Sequence, residues 1–484
     1  MKFKPLIILL LLLLNLFNSV IAGGAEDFSG ITITKGFKDL TYHNPCITQK
    51  FSADPGVMEY NGRIYVYSTQ DGNLQTYTPA KNVYSKITSL NIMSSADLVN
   101  WSDHGTYEIA GSKGVAKWAA NAWAPTAAHK IINGRERFFL YFANNAGGIG
   151  VAVSDSPLGP WSDPLGHALI SRSTPNSNVE WLFDPAVFVD SDGTGYLYYG
   201  GGVPSGKDAN PNTIRAVKLG NDMISLAGTP VNINAPWVFE DSGINKIGNK
   251  YFYSYCTNWS GGPYGNARIG FMTSYNPLGP FTFKGTCFNN PGEFFGSSGN
   301  NHHTIISFKG KVYIFYHAEW LNKQAYGQAL GYRTTHVDLM NLNSNGELGN
   351  AIGSLTGVKQ LSNVNPYSYI YFNTMAWQGG ATIYGTGNAF VGLNRGDWTG
   401  ISHIDFGTGA KSITIEAGSV NGAVIKVCIG KQTGPTLAFV TIPKTNDNFK
   451  FTKVTATVKN AEGVKNVFFV ASNDVILKAF KFNK

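Results

Sequence analysis

The feature that most constrains the fold of this chain is a short aromatic strand that recurs five times. The copies are Tyr65–Tyr67, Phe138–Tyr141, Tyr196–Tyr199, Tyr251–Tyr253 and Tyr313–Tyr316. Each copy follows a polar or aromatic residue, its landmark, by 11 or 12 residues in four units and by 15 in the second. The landmarks are Asp54, Trp123, Asp184, Glu240 and His302. Hairpin repeats of this size predict an all-β fold with a five-bladed β-propeller.

Three of the five landmarks, Asp54, Asp184 and Glu240, are carboxylic acids. One landmark per blade would gather these side chains at a common axis. Glycosidic-bond hydrolysis needs one protonated acid to assist the leaving oxygen and one carboxylate to activate water or attack. A third carboxylate can keep the pKa of the acid high through like-charge repulsion. The acids therefore predict a glycosidase, whereas the scarcity of clustered histidines argues against a catalytic zinc.

The length of the chain and its N-terminal sequence predict two domains and an export signal. A chain of 484 residues is long enough for two domains. Lys2 and Lys4 precede an apolar run from Leu6 to Leu14, and Ala22 offers a cleavage site. This pattern predicts a signal peptide at residues 1–22 and a secreted protein, since the run is short for a membrane anchor. The positive charges are scattered singly, so we expect neither a nucleic-acid nor a membrane partner.

The repeats occupy residues 40–355, and a different pattern follows. Residues 368–484 alternate apolar and polar side chains, for example in Ile413–Ile415 and Val467–Val470, with glycine and asparagine turns between the runs. Such alternation predicts a β-sandwich of jelly-roll type as the second domain. The four cysteines permit disulfides in a secreted protein, but their pairing is left open.

Five short motifs resemble glycoside hydrolase family 43. They are Ala53–Pro55, Trp123–Pro125, Phe183–Phe188, Phe239–Ser242 and Gly299–His303. The resemblance implies a five-bladed propeller that inverts anomeric configuration. It also implies that Asp54 is the general base, that Glu240 is the general acid, and that Asp184 tunes and orients the acid. One departure is that Asp241-Ser242 stands where many members have Gly-Pro.

The same resemblance implies roles for four more residues. His302 resembles an axial histidine that faces a central ion, often calcium, through water; a hydrogen-bonded core histidine is the alternative. Trp123 and Phe183 resemble walls of the sugar pocket, and blade packing is their alternative. Arg333 resembles a substrate-contacting arginine, with an ordinary blade-edge arginine as the alternative. Asp190, Asp192 and Asp241 are interpreted as turn or structural acids.

The tail resembles a family 6 carbohydrate-binding module. The matching stretches are Thr374–Trp377, Asn394–Trp398 and Ile404–Ala410. Two departures leave sugar binding and a purely supporting role both open. Ile370–Asn373 replaces a Glu-Ala-Glu entry that helps to hold calcium, and no Gly-Gly-Trp platform is present near Asn446–Phe449.

These observations predict a secreted, monomeric hydrolase that removes α-L-arabinofuranosyl units from an arabinoxylan-type plant or cell-wall polysaccharide. A β-D-xylosidase of the same family and a non-catalytic glycan-binding propeller are the alternatives. A fructan-cleaving propeller is disfavoured, because its typical Asn-Asp-Pro-Asn, Arg-Asp-Pro and Glu-Cys motifs are replaced by Ala53–Pro55, Phe183–Pro185 and Glu240-Asp241. No catalytic cofactor is expected.

Overall fold

The computed structural model of the chain describes residues 28, 30–74, 80–259 and 262–484. The predicted signal peptide at residues 1–22 therefore lies outside the described residues. The chain divides into two compact units. One comprises Phe37–Leu361 with Gly385–Gly387, and the other comprises the residues up to Gly36 with Ser362–Tyr384 and Asn388–Lys484. Among the described residues, no helix is both long and apolar enough to span a bilayer.

The described part of the first unit folds into five antiparallel sheets. Its strands are β1 (Lys50–Tyr60), β2 (Arg63–Asn73), β3 (Ser89–Ser95), β4 (Trp101–Glu108), β5 (Trp123–Ile132), β6 (Arg135–Ala143), β7 (Gly148–Ser154), β8 (Ile170–Ser171), β9 (Ala186–Val189), β10 (Gly195–Gly200), β11 (Ile214–Lys218), β12 (Val231–Ile233), β13 (Val238–Ile247), β14 (Lys250–Thr257), β15 (Ile269–Ser274), β16 (Thr282–Phe288), β17 (His303–Phe308), β18 (Lys311–Ala318) and β19 (Thr334–Met340). Two short helices, α1 (Gly292–Phe295) and α2 (Trp320–Tyr326), and a 3₁₀ turn at Tyr84–Lys86 join them.

The first strands of the five sheets form a closed ring. β1 contacts β5, β5 contacts β9, β9 contacts β13, β13 contacts β17, and β17 returns to β1. The strands approach closely: a Cβ at Gly56 would lie 1.9 Å from the carbonyl oxygen of Pro125. The fifth sheet has three strands and is completed by the segment before β1, where the Cys46 amide donates to the Thr335 carbonyl (2.8 Å). The five-bladed propeller predicted from the repeats is confirmed.

The recurring aromatic segment is the second strand of each blade. Alternate side chains of that strand point to opposite faces of the blade, so each strand packs against both of its neighbours. In β10, for example, Leu197 joins a cluster that includes Tyr141, whereas Tyr198 joins a cluster that includes Tyr253. The strand pattern that identified the repeats therefore supplies the apolar layers between blades.

The inner strands β1, β5 and β13 share a bulge at the end that lies near the cavity described below. The pairing register shifts after Ala53 in β1, after Trp123 in β5 and after Glu240 in β13. A residue with positive φ stands at each equivalent point: Asp54 (50°), Ala124 (41°), Asp184 (48°) and Asp241 (69°). Bulges re-aim the side chains around them. The landmarks Trp123 and Glu240 therefore precede the true repeat position by one residue, which Asp241 occupies in the fourth blade.

The second unit is the predicted β-sandwich. Its strands are β20 (Ile370–Tyr371), β21 (Thr374–Met375), β22 (Trp377–Gly379), β23 (Thr382–Tyr384), β24 (Phe390–Leu393), β25 (Trp398–Asp405), β26 (Ser412–Gly418), β27 (Ala423–Ile429), β28 (Thr436–Ile442), β29 (Thr452–Thr457), β30 (Val464–Ala471) and β31 (Val475–Asn483). One sheet has the order β23-β24-β31-β26-β29, with β20 also on β31, and the other has β22-β25-β30-β27-β28. Between them lies an apolar core that includes Phe372, Ile415, Val427, Phe469 and Phe480.

The segment before the propeller belongs to this sandwich, which the sequence pattern did not predict. The Thr34 amide donates to the Gly396 carbonyl (3.0 Å), and the Trp398 indole donates to the Thr34 carbonyl (2.7 Å). The Thr34 hydroxyl donates to Asp397 (2.6 Å). The four cysteines, Cys46, Cys256, Cys287 and Cys428, are buried free thiols.

Candidate active site

One cavity of about 380 Å³ in the propeller is lined by all seven residues that the sequence proposed for the site. They are Asp54, Trp123, Phe183, Asp184, Glu240, His302 and Arg333. The three acids come from three blades: Asp54 and Glu240 lie at bulges of β1 and β13, and Asp184 lies just before β9. A cavity of this size falls in the usual range for small-ligand sites. The chain thus gathers three buried carboxyl groups where a sugar could bind.

Asp54 is held in its ionised form. Arg333 Nη1 donates to Asp54 Oδ1 (2.8 Å), and the Asp54 amide donates to His317 Nδ1 (3.0 Å). Burial raises the pKa of the Asp54 carboxyl, but the Arg333 guanidinium and the His317 and His302 rings outweigh it and hold that pKa well below its usual range. Because an ionised carboxylate can accept a proton, Asp54 suits a general base.

Glu240 and Asp184 have the opposite tendency. Burial, followed by the charges of Asp54 and Asp241, raises the pKa of Glu240. Burial, followed by the charges of Glu240, Asp54 and Asp241, raises the pKa of Asp184 well above its usual range. Neighbouring buried carboxyls cannot all be ionised at low cost, so this group retains a proton near neutral pH. Glu240 Oε1 is buried with no hydrogen-bond partner among the described residues, which leaves it open to a substrate oxygen.

Arg333 is fixed by a second acid that sequence reasoning did not single out. Its Nε and Nη2 atoms donate to the two carboxylate oxygens of Asp71 at 2.8 and 2.9 Å. The guanidinium also lies over the Tyr84 ring, 4.8 Å from its centroid. A bidentate ion pair of this kind fixes the direction of the remaining Nη1 donor toward Asp54. Arg333 therefore lies in the pocket, as predicted, and its observed contacts hold the base.

Asp241, interpreted from the sequence as a turn or structural acid, positions a residue of the cavity. Its amide donates to Asp184 Oδ2 (3.0 Å), so it positions that carboxyl. Its own Oδ2 accepts hydrogen bonds from the His303 amide (3.2 Å) and the His303 ring, whose Nε2 contacts Ser254 Oγ (2.7 Å). Asp241 is fully buried. The sequence signal was the pairing of this acid with the bulge position that also carries Asp54 and Asp184.

The other two acids interpreted as structural lie at turns. Asp190 accepts from Lys246 Nζ (2.6 Å) and from the Tyr251 hydroxyl, outside the catalytic cavity. Asp192 caps the turn before β10 by accepting from the Thr194 amide (2.8 Å). Both contacts are those of structural residues.

His302 lies among the acids. Its Nε2 is 3.2 Å from Asp241 Oδ1, and its Nδ1 is 3.7 Å from Asp54 Oδ1 and 3.8 Å from Asp184 Oδ2. Burial lowers the pKa of the imidazole, and the opposing charges of Asp241 and Asp54 do not reverse that shift. These distances place the His302 ring between the three carboxyl groups.

His302 also lines a second cavity of about 370 Å³, which follows the inner strands and is where the predicted axial calcium would lie. Calcium takes about six to eight oxygen ligands. Among the residues described, no group of three or more His, Cys, Asp or Glu side chains is arranged to hold a metal ion. Both ring nitrogens of His302 face carboxylates instead. These side chains do not fit a directly ligated ion, and a calcium held through water stays a prediction.

Aromatic side chains form one wall of the catalytic cavity. Phe183 and Phe239 both pack edge-on against Trp181, with ring centroids 5.4 and 5.0 Å apart. The Trp123 indole donates to the Tyr84 carbonyl (3.0 Å), which fixes its ring at the cavity. Faces of sugar rings stack on such surfaces. Phe239 and Tyr84 line the cavity without having been predicted.

Two polar residues complete the lining and were also missed. Glu319 Oε2 accepts a hydrogen bond from the Gly331 amide (2.8 Å), and burial raises the pKa of its carboxyl. Asn300 accepts from His317 Nε2 through its carbonyl (2.9 Å). Asn300 belongs to the motif Gly299–His303, which was the available signal, whereas nothing local marks Glu319.

The two segments that depart from the binding-module pattern differ in their exposure to solvent. Phe372 and Asn373, in the replaced entry segment, are buried, so that segment serves the core. Phe449 is 49% exposed and packs on Tyr384, itself 40% exposed, at a centroid distance of 5.7 Å. Sugar binding by this unit remains a prediction.

Comparison with known proteins gives two matched families and full-length relatives. Residues 42–348 match the model of the glycosyl hydrolases family 43, and residues 373–484 match that of the carbohydrate binding module family 6. An arabinoxylan arabinofuranohydrolase of Paenibacillus polymyxa is 44% identical over 456 residues, covering 88% of this chain and 71% of the relative. An arabinoxylan arabinofuranohydrolase of Bacillus subtilis strain 168 is 41% identical over 479 residues, covering 93% of each.

A solved structure extends the likeness to the fold. The crystal structure of a family 43 arabinoxylan arabinofuranohydrolase from Bacillus subtilis, in complex with cellotetraose, aligns with a TM-score of 0.89 at 40% identity. It covers 93% of this chain and 99% of that one. An α-L-arabinofuranosidase from Clostridium thermocellum aligns with a TM-score of 0.51 at 38% identity, covering 65% of this chain and 98% of that one.

Proposed function

The chain belongs to glycosyl hydrolase family 43, and from that premise we propose that it removes α-L-arabinofuranosyl units from arabinoxylan. The relatives from Paenibacillus polymyxa and Bacillus subtilis are both named for this activity. The observation that carries the proposal is the opposed ionisation of two buried acids in one cavity: the pKa of Asp54 is lowered and that of Glu240 is raised. A base and an acid of this kind are what glycoside hydrolysis requires.

The proposed reaction uses each side chain in the state that its surroundings favour. Asp54, ionised beside Arg333, accepts a proton from a water molecule as the water attacks the anomeric carbon. Glu240, protonated, donates its proton to the departing glycosidic oxygen. Attack by water on the face opposite the leaving group inverts the configuration at the anomeric carbon.

The remaining side chains position the reacting groups. The Asp241 amide orients Asp184 (3.0 Å), and the charges of Asp54 and Asp241 help to keep the pKa of Glu240 high. Trp123, Phe183 and Phe239 supply the apolar wall against which the sugar stacks. No step in this scheme depends on a metal ion.

The experiment that tests the proposal is product analysis with the purified full-length protein. Wheat-type arabinoxylan, arabinan and linear xylo-oligosaccharides are incubated separately, and the released sugar is identified. Release of arabinose from arabinoxylan is the expected result, and NMR should show the inverted β-anomer first. Release of xylose alone would favour the β-xylosidase alternative, and no release from any substrate would favour a non-catalytic binding propeller.

We propose in addition that the protein is exported and acts outside the cell as a monomer, cleaved after Ala22. The support is the charged and apolar sequence of residues 1–22 together with a polymeric substrate. N-terminal sequencing of the protein recovered from culture medium should begin at Gly23. A protein retained in the cells with Met1 intact would contradict export.

A further inference from the structure

A larger cavity, of about 930 Å³, lies in the third blade of the propeller, apart from the catalytic one. Its lining is polar and rich in cations. The charged side chains that line it are Arg172, Glu180, Lys207 and Arg215, so three positive charges face one negative charge. This recess is called the cation cavity below. Within the described parts of the chain, none of the three cations forms an ion pair with an Asp or Glu side chain.

Arg215 is the buried centre of this lining, only 8% exposed. Its Nε donates to the Asn176 carbonyl (2.6 Å), and its Nη1 donates to the carbonyls of Asn212 and Ile214 (2.9 Å each). Main-chain carbonyls thus hold the guanidinium in place without neutralising it. A buried cation that lacks a carboxylate partner is costly unless an anion completes it.

Arg172 is oriented in a similar way from the other side. It donates to the carbonyls of Val179 (2.7 Å), Ala146 (3.0 Å) and Glu180 (3.2 Å). Lys207 is exposed at the rim. Three cations around one recess attract an anionic group. Within the described ranges the Nη2 group of Arg215 has no hydrogen-bond partner, so it can donate to a carboxylate.

The cation cavity and the catalytic cavity are neighbours, because residues close together in the chain line each of them. Glu180 lines the first, and Phe183, three residues later, lines the second. A Cβ at Gly202 would lie 2.7 Å from the Glu180 side chain, and one at Gly201 would lie 2.8 Å from the Phe183 ring. A polymer that places one sugar in the catalytic cavity can therefore extend toward the cation cavity.

We propose that the cation cavity binds the carboxylate of a uronic acid residue carried by the polysaccharide substrate. The proposal rests on the proposed function and narrows it: among arabinoxylans, the enzyme favours those that also bear acidic sugars. The Nη2 group of Arg215 contacts the carboxylate, and the charges of Arg172 and Lys207 add long-range attraction.

The test compares one polysaccharide in two states. A uronate-bearing arabinoxylan is assayed before and after chemical reduction of its carboxyl groups to alcohols, and kcat/KM for arabinose release is measured. An aryl α-L-arabinofuranoside, too small to reach the cation cavity, reports on catalysis alone. We expect the native polymer to be preferred by about tenfold, as a charge-assisted contact predicts, and the preference to shrink at high salt.

Matched variants assign the preference to this cavity. K207Q should reduce the preference about two- to fivefold, whereas K311Q, which removes an exposed lysine from the fifth blade, should leave it unchanged. R215Q should abolish the preference while keeping activity on the aryl glycoside. Because R215Q could disturb folding, R172Q provides a second test.

The outcomes separate the two proposals. Equal kcat/KM on both polymer states in the parent enzyme, with activity on the aryl glycoside intact, would overturn the uronate site and leave the proposed function standing. A preference that K207Q and K311Q reduce alike would also overturn it, because general charge would then be the cause. Absence of activity on the aryl glycoside would instead count against the proposed function.

Discussion

The catalytic end of the propeller and the interior of the sandwich are both built from antiparallel strands, but they bury different chemistry. The sandwich core consists of apolar side chains such as Ile415, Val427 and Phe469. The propeller cavity instead buries carboxyl groups, among them Asp54 and Glu240. Apolar burial stabilises a fold at about 25 cal/mol per Å², whereas buried charges cost free energy unless they are paired.

The sandwich core contributes mainly to stability, whereas the propeller cavity places costly polar groups where they can take part in chemistry. In the sandwich, alternation along each strand sends apolar residues inward with little conflict. In the propeller, positive φ angles at Asp54, Asp184 and Asp241 accompany the placement of acids at a shared cavity, and each such backbone conformation costs roughly 1–3 kcal/mol. The layers between blades supply the stability that the cavity gives up.

The largest expected effect is on catalysis by the two principal acids. Asp54→Asn and Glu240→Gln should each lower kcat on arabinoxylan by about 10³-fold. On an aryl arabinofuranoside with a good leaving group, Glu240→Gln should recover most of its activity, because that leaving group departs without a proton. Asp54→Asn should recover none. Steady-state rates on the two substrates check this.

The matched control is Asp155→Asn, which removes an exposed acid paired with Arg137 at 2.8 Å. Its rates should equal those of the parent on both substrates. If Asp54→Asn and Glu240→Gln both recover activity, or neither does, the division into base and acid is wrong.

The next effect links stability to the ionised base. Arg333→Met leaves Asp54 and Asp71 buried without their cation and should lower the free energy of unfolding by about 3–5 kcal/mol. Arg333 lowers the pKa of Asp54, so its loss should raise that pKa and move the acidic limb of the kcat/KM profile to higher pH. Urea unfolding and pH–rate profiles measure both effects.

The sign follows from the depressed pKa. A carboxyl whose pKa is lowered on folding contributes stability above its unfolded pKa, and that stability is lost as pH falls through the folded pKa. The stability difference between Arg333→Met and the parent should therefore shrink in acid. Arg137→Met, at an exposed ion pair, should cost less than about 1 kcal/mol.

An apolar truncation in the sandwich should separate stability from catalysis. Phe469→Ala removes a fully buried ring that packs against Phe372 and Phe480 at 5.0 and 4.6 Å. We expect the unfolding free energy of this unit to fall by about 3–5 kcal/mol, with kcat on the aryl arabinofuranoside unchanged. Val464→Ala, at a side chain 43% exposed, is the control with little expected effect. A matching loss of kcat would show that catalysis depends on the sandwich core.

The last expected effect is a pH-dependent gain in stability in Glu240→Gln, a variant that has lost its general acid. The pKa of Glu240 is raised on folding. Its contribution is therefore present below the unfolded pKa and is lost as pH rises through the folded pKa. Glu240→Gln lacks this loss, so its stability relative to the parent should rise on going from pH 5 to pH 9. A stability difference that stays constant over that range, measured by thermal unfolding, would contradict the raised pKa.

Local sequence patterns predicted the blades and the acids because both leave local signals. The aromatic strand recurs at a regular spacing, and the Asp-Pro pairs at Asp54 and Asp184 mark two of the positions with positive φ. The predicted repeat position was one residue early in the second and fourth blades, at Trp123 and Glu240. In the fourth blade Ser242 stands where Asp54 and Asp184 have a following proline. For that reason Asp241 was interpreted as structural, although its amide orients Asp184.

Contacts between distant residues could not be read in this way. Asp71 and Arg333 are separated by 262 residues, and Thr34 and Asp397 by 363. Neither pair has a spacing or motif that connects its members, because each depends on how the completed units bring strands together. The cation that holds Asp54 was predicted as a pocket residue, but its partner was not.

The central claim is that one buried cavity keeps Asp54 ionised and Glu240 protonated. The most direct test is the pH dependence of kcat/KM on arabinoxylan, whose leaving group needs a proton, for the parent and for Glu240→Gln. The parent should give a bell-shaped profile, and the variant should lose the alkaline limb while retaining the acidic limb that reports Asp54. An alkaline limb that persists in Glu240→Gln would contradict the account.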